Sequence, residues 1–394
     1  MRTSGVICEC NPFHAGHGYL FDCARAESDA LVCVMSDWFT QRGEAAVLDP
    51  LVRARILLRH GADAVFSLPF PFSAAPGEQF GAAGVSLLSR LGVNDLWFGS
   101  ECGELVRLRA AAEVTDSPAF LASYRAAVRA GEGTAAAYAE GLRAEMGDDA
   151  PLSPNDLLAV SYLRALKRIG SAMVPHTVRR VGSGYHDTAV GEAYPSATAL
   201  RALLCRGGVQ ALSPFYDAPE LALMQAEEAA GRAPADIGRL DAVFLSWLRT
   251  ADAAALDSVP GFGGGIGRRL TQAALEASDL AGALRCAWVR CPDSRLRRGL
   301  LFAVAGASEE DLRAAPAYAA LLAASGVGCR FLATLRRGSE IPVVTKRSAV
   351  PASPLASRQL LLHDRAAGLW SLCLPVPLPP SELLRRGGWV EKQE

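Results

Sequence analysis

Four short, almost wholly apolar runs separated by helix-like segments fill the first hundred residues and leave this chain few folds to choose from. Strands are expected at 4–9, 30–35, 63–68 and 95–99, with helices at 16–27, near 50–60 and near 77–90. A strand that is apolar on both faces must be covered on both faces, which happens when crossover helices flank a parallel sheet. Right-handed crossovers then give an α/β fold, a Rossmann-like doubly wound parallel sheet. Residues 106–147 read as helical and alanine-rich, with Ser117-Pro118 as a helix start. Ser153-Pro154 opens a helix to 168, 176–181 is the last expected strand, and 196–206 is a helix. Gly207-Gly208 then marks the expected boundary between a domain at 1–206 and a mostly helical, arginine-rich domain at 207–394.

The chain of 394 residues is 50% hydrophobic and 21% charged, as ordinary globular proteins are. A formal net charge of −1 excludes a global basic signature, so any nucleic acid must be met by a local patch. The N-terminus runs straight into the first strand, and no apolar run is long enough for a bilayer, so a cytoplasmic protein without membrane contact is expected. Ten cysteines lack C-x-x-C spacing and read as buried small hydrophobes, neither disulfides nor metal ligands.

The stretch Cys10-Asn11-Pro12-Phe13-His14-Ala15-Gly16-His17 lies between the first strand and the first helix. Such a turn offers unpaired N–H groups and the positive end of a helix to a phosphate. Two imidazoles add donors, and the glycine between them permits close approach. Ser196-x-Thr198-x-x-Arg201 starts a later helix with hydroxyls one turn before a guanidinium, a combination suited to triphosphate oxygens. Taken singly, these are also what surface turn histidines and an ordinary N-cap look like. The polar loop from Ser36 through Gln41-Arg42-Gly43-Glu44 follows the second strand, where ligands gather in open α/β sheets, and suits a small carboxylate or a base. Gly99, Asn155, and Arg180 before Gly182-Ser183-Gly184-Tyr185-His186 complete a polar rim, with capping and a surface ion pair as the plainer uses of Asn155 and Arg180. Gly265-Ile266-Gly267-Arg268-Arg269 and Ser294-Arg295-Leu296-Arg297-Arg298 are basic clusters that suit either a solvated helix face or an RNA backbone.

His-x-Gly-His resembles the nucleotide-binding signature of the nucleotidyltransferase and class I aminoacyl-tRNA synthetase superfamily, which pairs it with a Ser-x-Thr-x-x-Arg across the ATP. With Met35-Ser36 to Glu44, Phe98-Gly99-Ser100-Glu101, Pro154-Asn155-Asp156-Leu157-Leu158-Ala159, Arg180 to His186, Arg295 to Arg298 and Ile341-Pro342-Val343-Val344-Thr345-Lys346, the whole chain resembles the tRNA(Met) cytidine acetate ligase family. The resemblance implies that acetate attacks the α-phosphate of ATP, releasing pyrophosphate. The wobble cytidine of elongator tRNA(Met) then takes the acetyl group as N(4)-acetylcytidine. It further implies ATP contacts at Ile7, Cys8, Glu9, Cys10, Asn11, Pro12, Phe13, His14, Ala15, Gly16, His17, Gly18, Tyr19, Leu20, Gly99, Asn155 and Arg180. Ser196 and Thr198 join these on the residue reading; His14, His17 and Arg201 are the expected catalytic groups, and Mg2+ is expected with the triphosphate. Cys10 and Ala15 depart from the family pattern, which places an aromatic and a polar residue there. A nucleotidyltransferase for a small phosphorylated metabolite, or a non-catalytic nucleotide-responsive RNA-binding protein, are the alternative readings. Oligomeric state stays open.

Overall fold

Strand β1 (Thr3–Cys8) pairs in parallel with β2 (Ala30–Ser36) on one side and β4 (Asp95–Ser100) on the other. β3 (Ala64–Leu68) lies beyond β2 and β5 (Val174–Arg179) beyond β4, both parallel, so the order is β5-β4-β1-β2-β3. The computed structural model describes residues 1–130, 134–180, 195–287, 291–335 and 338–391. The expected turn Gly182-Ser183-Gly184-Tyr185-His186, the end of the expected strand at Val181, and Tyr194 lie outside the described residues.

This is the doubly wound sheet that the alternating runs imply. Helices α1 (Ala15–Ala26), α2 (Pro50–Arg59), α3 (Gly77–Arg90), α4 (Leu105–Val114), α5 (Pro118–Arg129), α6 (Thr134–Met146), α7 (Pro154–Ile169) and α8 (Ala197–Gly207) connect or flank the strands. Side chains alternate across the sheet, as the strand period of two requires. Ile7, Val32, Val34 and Phe66 face a core with Phe80 and Leu87 of α3 and Val160 and Leu163 of α7. Val6, Cys8, Cys33 and Met35 face the other, with Phe21 of α1, Ile56 of α2 and Leu200 of α8.

The strand order reverses between the parallel neighbours β1 and β4, and the crevice at the C-terminal ends of those two strands is where open α/β sheets receive ligands. The region after 207 is mainly helical, but it also extends the sheet. β6 (Ala319–Ala324) runs antiparallel to β3, and β7 (Val343–Val344) and β8 (Trp389–Val390) pair with β6. None of the described helices is long and apolar enough to cross a membrane.

Candidate active site

His14 sits at the N-cap of α1 in extended backbone. Its Nδ1 accepts the N–H of Gly16 at 3.1 Å, while Nδ1 of His17 accepts the N–H of His14 at 3.2 Å. This reciprocal capping box consumes two of the helix's orphan donors. With both Nδ1 atoms accepting, each neutral ring carries its proton on Nε2, away from the cap. Burial, then the nearby Arg180 and Arg201, lowers the His14 pKa to about 4. Burial, followed by the charges of His14 and Arg180, likewise holds His17 well below the usual imidazole range. The pair therefore meets a ligand at neutral pH as two uncharged donors. Gly16 leaves room for the His14 ring: a Cβ there would stand 2.9 Å from Cε1 of His14, so the ring would have to shift.

Other members of the turn support it. Asn11 is 4% exposed; its Oδ1 accepts Val47 N–H at 2.8 Å and its Nδ2 donates to Ala45 O at 3.3 Å. Cys10 is buried with φ 45°, a left-handed conformation found in no other non-glycine described residue. Phe13 is buried, stacked on His60, and its carbonyl accepts the Tyr216 hydroxyl. Beneath the turn the buried Arg53 donates to Glu9 O at 2.8 Å and also to the carbonyl of Asp37, joining the ends of β1 and β2.

The opposite wall comes from α7, α8 and the end of β4. Ser196 caps α8 by accepting Ala199 N–H at 3.1 Å. One turn on, Arg201 donates to Asn11 O at 2.7 Å and to Thr198 Oγ1 at 3.2 Å, so the two sequence motifs are physically joined. Asn155 donates to Glu101 Oε1 at 2.6 Å. Asp156 Oδ1 accepts from the N–H groups of Glu101 and Cys102, and Glu101 Oε2 accepts Asp156 N–H, which locks the end of β4 onto α7. The Arg180 stem lies across Gly99, where a Cβ would meet its Cγ at 3.2 Å. The space beside Gly99 thus admits the stem of this arginine, and Gly99 itself lines the cleft.

The loop after β2 closes the third side. Glu9 Oε1 accepts Gln41 N–H at 2.6 Å, and burial raises the pKa of Glu9. Glu44 pairs with Arg201 at 3.3 Å and with Arg297 of the helix Asp293–Ala305 at 3.5 Å. Arg298 donates to Gln41 O at 2.9 Å. Gly43, at φ 71°, lies so close to this helix that a Cβ would stand 2.9 Å from the Arg298 nitrogen.

These walls enclose a cleft of about 1320 Å³, the open mouth included. Of the residues expected from sequence, Ile7, Cys8, Glu9, Cys10, Asn11, His14, His17, Leu20, Gly99, Asn155, Arg180, Ser196, Thr198 and Arg201 line it. Pro12, Phe13, Ala15, Gly16, Gly18 and Tyr19 do not line it; Phe13 packs inward and Ala15 and Tyr19 face solvent. Sequence reading missed Phe80 and Tyr162 as site residues, and it weighed Thr40, Gln41, Arg42, Glu44, Phe98 and Leu158 without placing them in the ATP site. The first group carries no local signal beyond apolar helix periodicity. Among the described residues no cluster of His, Cys, Asp or Glu is built to hold a metal.

A family model described as HIGH Nucleotidyl Transferase matches residues 1–380. The tRNA(Met) cytidine acetate ligase of Syntrophotalea carbinolica is 37% identical, covering 95% of each chain. Its namesake in Kosmotoga olearia is 28% identical over 88% of this chain and 86% of its own. The crystal structure of Thermotoga maritima TmcAL in apo form I superposes with a TM-score of 0.92 at 26% identity, covering 99% of this chain and 100% of that one. The same protein bound with alpha-thio ATP superposes at 0.89 with equal coverage.

Proposed function

This chain belongs to the HIGH nucleotidyltransferases and, within them, to the tRNA(Met) cytidine acetate ligases, and we propose that its cleft joins acetate to ATP and passes the acetyl group to the wobble cytidine of elongator tRNA(Met). The observation that carries this reading is the direct link between its two phosphate-binding motifs, Arg201 to the Asn11 carbonyl, across one cleft at the sheet's reversal point.

Acetate is a weak acyl donor until it is attached to a better leaving group. In the first step a carboxylate oxygen forms a bond to the α-phosphorus as the bond to the β-phosphate oxygen breaks, giving acetyl-adenylate and pyrophosphate. In the second, the exocyclic amine of cytidine attacks the acetyl carbonyl, loses a proton, and AMP departs. Nε2–H of His14 and of His17 donate to phosphate oxygens as charge grows on them, and Arg201, freed from Glu44, holds the departing pyrophosphate. Glu9 and Glu44 are already engaged by Gln41 N–H and by arginines, so Mg2+ would come with the triphosphate as its counter-ion and supply charge neutralisation there.

We assign acetate activation to residues 1–206 and RNA recognition to 207–394, whose strand β6 also completes the sheet. Arg297 brings the basic helix of the second region to the lip of the cleft, the side from which an anticodon loop would enter. We place the reaction in the cytoplasm, with the tRNA it would modify. The test is pyrophosphate release from ATP with and without acetate, followed by transfer of labelled acetyl to tRNA(Met). Release that ignores acetate, or label that never reaches the tRNA, defeats the proposal.

A further inference from the structure

Five buried side-chain polar atoms among the described residues have no hydrogen-bond partner: Ser36 Oγ, Gln41 Nε2, Gln79 Oε1, Trp97 Nε1 and Arg164 Nε. Of these residues only Gln41 lines the cleft. A buried donor left unpaired is costly, and at the wall of a binding site it marks the place of an acceptor brought by the ligand. The backbone of Gln41 is held from both sides, its N–H by Glu9 and its carbonyl by Arg298, so the amide head is presented from a fixed base.

The surroundings specify the acceptor's chemistry. The amide nitrogen lies 3.5 Å from where a Cβ of Gly77 would stand, and Leu158 Cδ1 lies 3.8 Å from that same point. Gly77 opens α3, so the positive end of a 14-residue helix is adjacent. Arg42 lines the same lip, close enough for its charge to act on Glu9. Ile7, Phe80 and Tyr162, each buried, line the cleft together with Leu158. Burial raises the pKa of Tyr162, so it stays uncharged. An unpaired N–H and a positive lip against a short apolar wall suit a small aliphatic carboxylate.

We propose that Gln41 Nε2 donates to the carboxylate of acetate, with Arg42 balancing its charge and the methyl group lying against Leu158 and Phe80. This deepens the ligase reading above and rests on it. One carboxylate oxygen bonds to the α-phosphorus as pyrophosphate leaves, while the other keeps its hydrogen bond to Gln41 and becomes the acetyl carbonyl oxygen. The wall sets acyl length: a longer chain would meet Leu158.

The test uses the full chain with α,β-methylene ATP and carbon-labelled acetate observed by NMR, in wild type and Gln41→Leu. Acetate line broadening in wild type that disappears in Gln41→Leu, with analogue binding unchanged, is the expected result. In turnover the acetate KM should rise at least about tenfold and the ATP KM stay within about twofold. Equal broadening in both proteins, or none in wild type, overturns the subsite. Should Gln41→Leu lose the analogue as well, Leu158→Ala decides: an increase of about fivefold or more in the propionate-to-acetate ratio of kcat/KM supports the wall, and an unchanged ratio overturns it. Acetate that binds through Gln41 without driving pyrophosphate release in wild type would leave the subsite standing and overturn the ligase reading instead.

Discussion

The Nδ1 of His17 accepts the backbone N–H of His14 at 3.2 Å, so the second histidine of the turn holds the first in place while keeping its own Nε2–H for a ligand. One ring thus caps the helix with Nδ1 and leaves Nε2–H for the phosphate contact proposed above, and substitution can separate the two. Glutamine at this third helical position preserves the capping acceptor but not the imidazole donor. His17→Gln should keep stability within about 0.5 kcal/mol of wild type, while His17→Ala loses about 1 kcal/mol. Both should slow acetate-dependent pyrophosphate release on the order of a hundredfold. Denaturant midpoints and release assays on both variants check this; full activity in His17→Gln would remove the ring from phosphate chemistry.

Acidification offers a second check. The His14 pKa is lowered to about 4 in the folded chain, below the ordinary value of 6.5. Above pH 6.5 both states are neutral at this ring, and between 6.5 and 4 the unfolded chain binds a proton that the folded chain does not. Stability therefore falls with pH across that window and levels off below it. By pH 5 the loss from this ring is about 2 kcal/mol. His14→Asn retains a good N-cap but does not titrate there. Its unfolding free energy should drop less than that of wild type by this amount between pH 7 and 5; parallel profiles would contradict the assignment.

Much of this was legible in the sequence because it is local. Expected helices at 77–90 and near 50–60 are realised as Gly77–Arg90 and Pro50–Arg59, with Pro50 at a first turn capped by Asp49. The His14-x-x-His17 turn and the Ser196-x-Thr198-x-x-Arg201 motif could be paired because each announces itself by hydroxyl, glycine or basic spacing at a helix start. Ala319–Ala324 is different: a short alanine-rich run has the composition of a helix, and only pairing with β3 from far away in sequence makes it a strand. The Glu44 pairs with Arg201 and Arg297, and the apolar wall of Phe80, Leu158 and Tyr162, depend on tertiary contact and have no period to read.

Gly16 separates local helix preference from site geometry. Alanine at an exposed first-turn position favours the helix by up to about 1 kcal/mol. Yet its Cβ would fall 2.9 Å from His14 Cε1 and 3.0 Å from Nδ1, so the imidazole must move. Gly16→Ala should therefore be as stable as wild type or slightly more so, yet release pyrophosphate at least about tenfold more slowly. Melting curves and release rates on one preparation give both numbers. Unchanged turnover would show that the His14 ring position is not critical.

Glu44 pairs with Arg201, the side chain to which the proposed reaction gives the departing pyrophosphate, so the two anions would compete for one guanidinium. The Glu44 carboxylate lies 3.3 Å from Arg201 and 3.5 Å from Arg297, with all three side chains partly exposed. Such pairs are worth about 0.5–1 kcal/mol each, small enough for a triphosphate to displace. Removing the charge while keeping the shape lifts this competition, so Glu44→Gln should bind α,β-methylene ATP about two- to fivefold more tightly by calorimetry. Because pyrophosphate has the same claim on Arg201, its release should slow by a similar factor, and the variant's kcat for the full reaction should fall. Raising salt should shrink the difference from wild type, since the competing pairs are screened. Weaker nucleotide binding in Glu44→Gln would mean that Glu44 orients Arg201 for the triphosphate instead of competing with it.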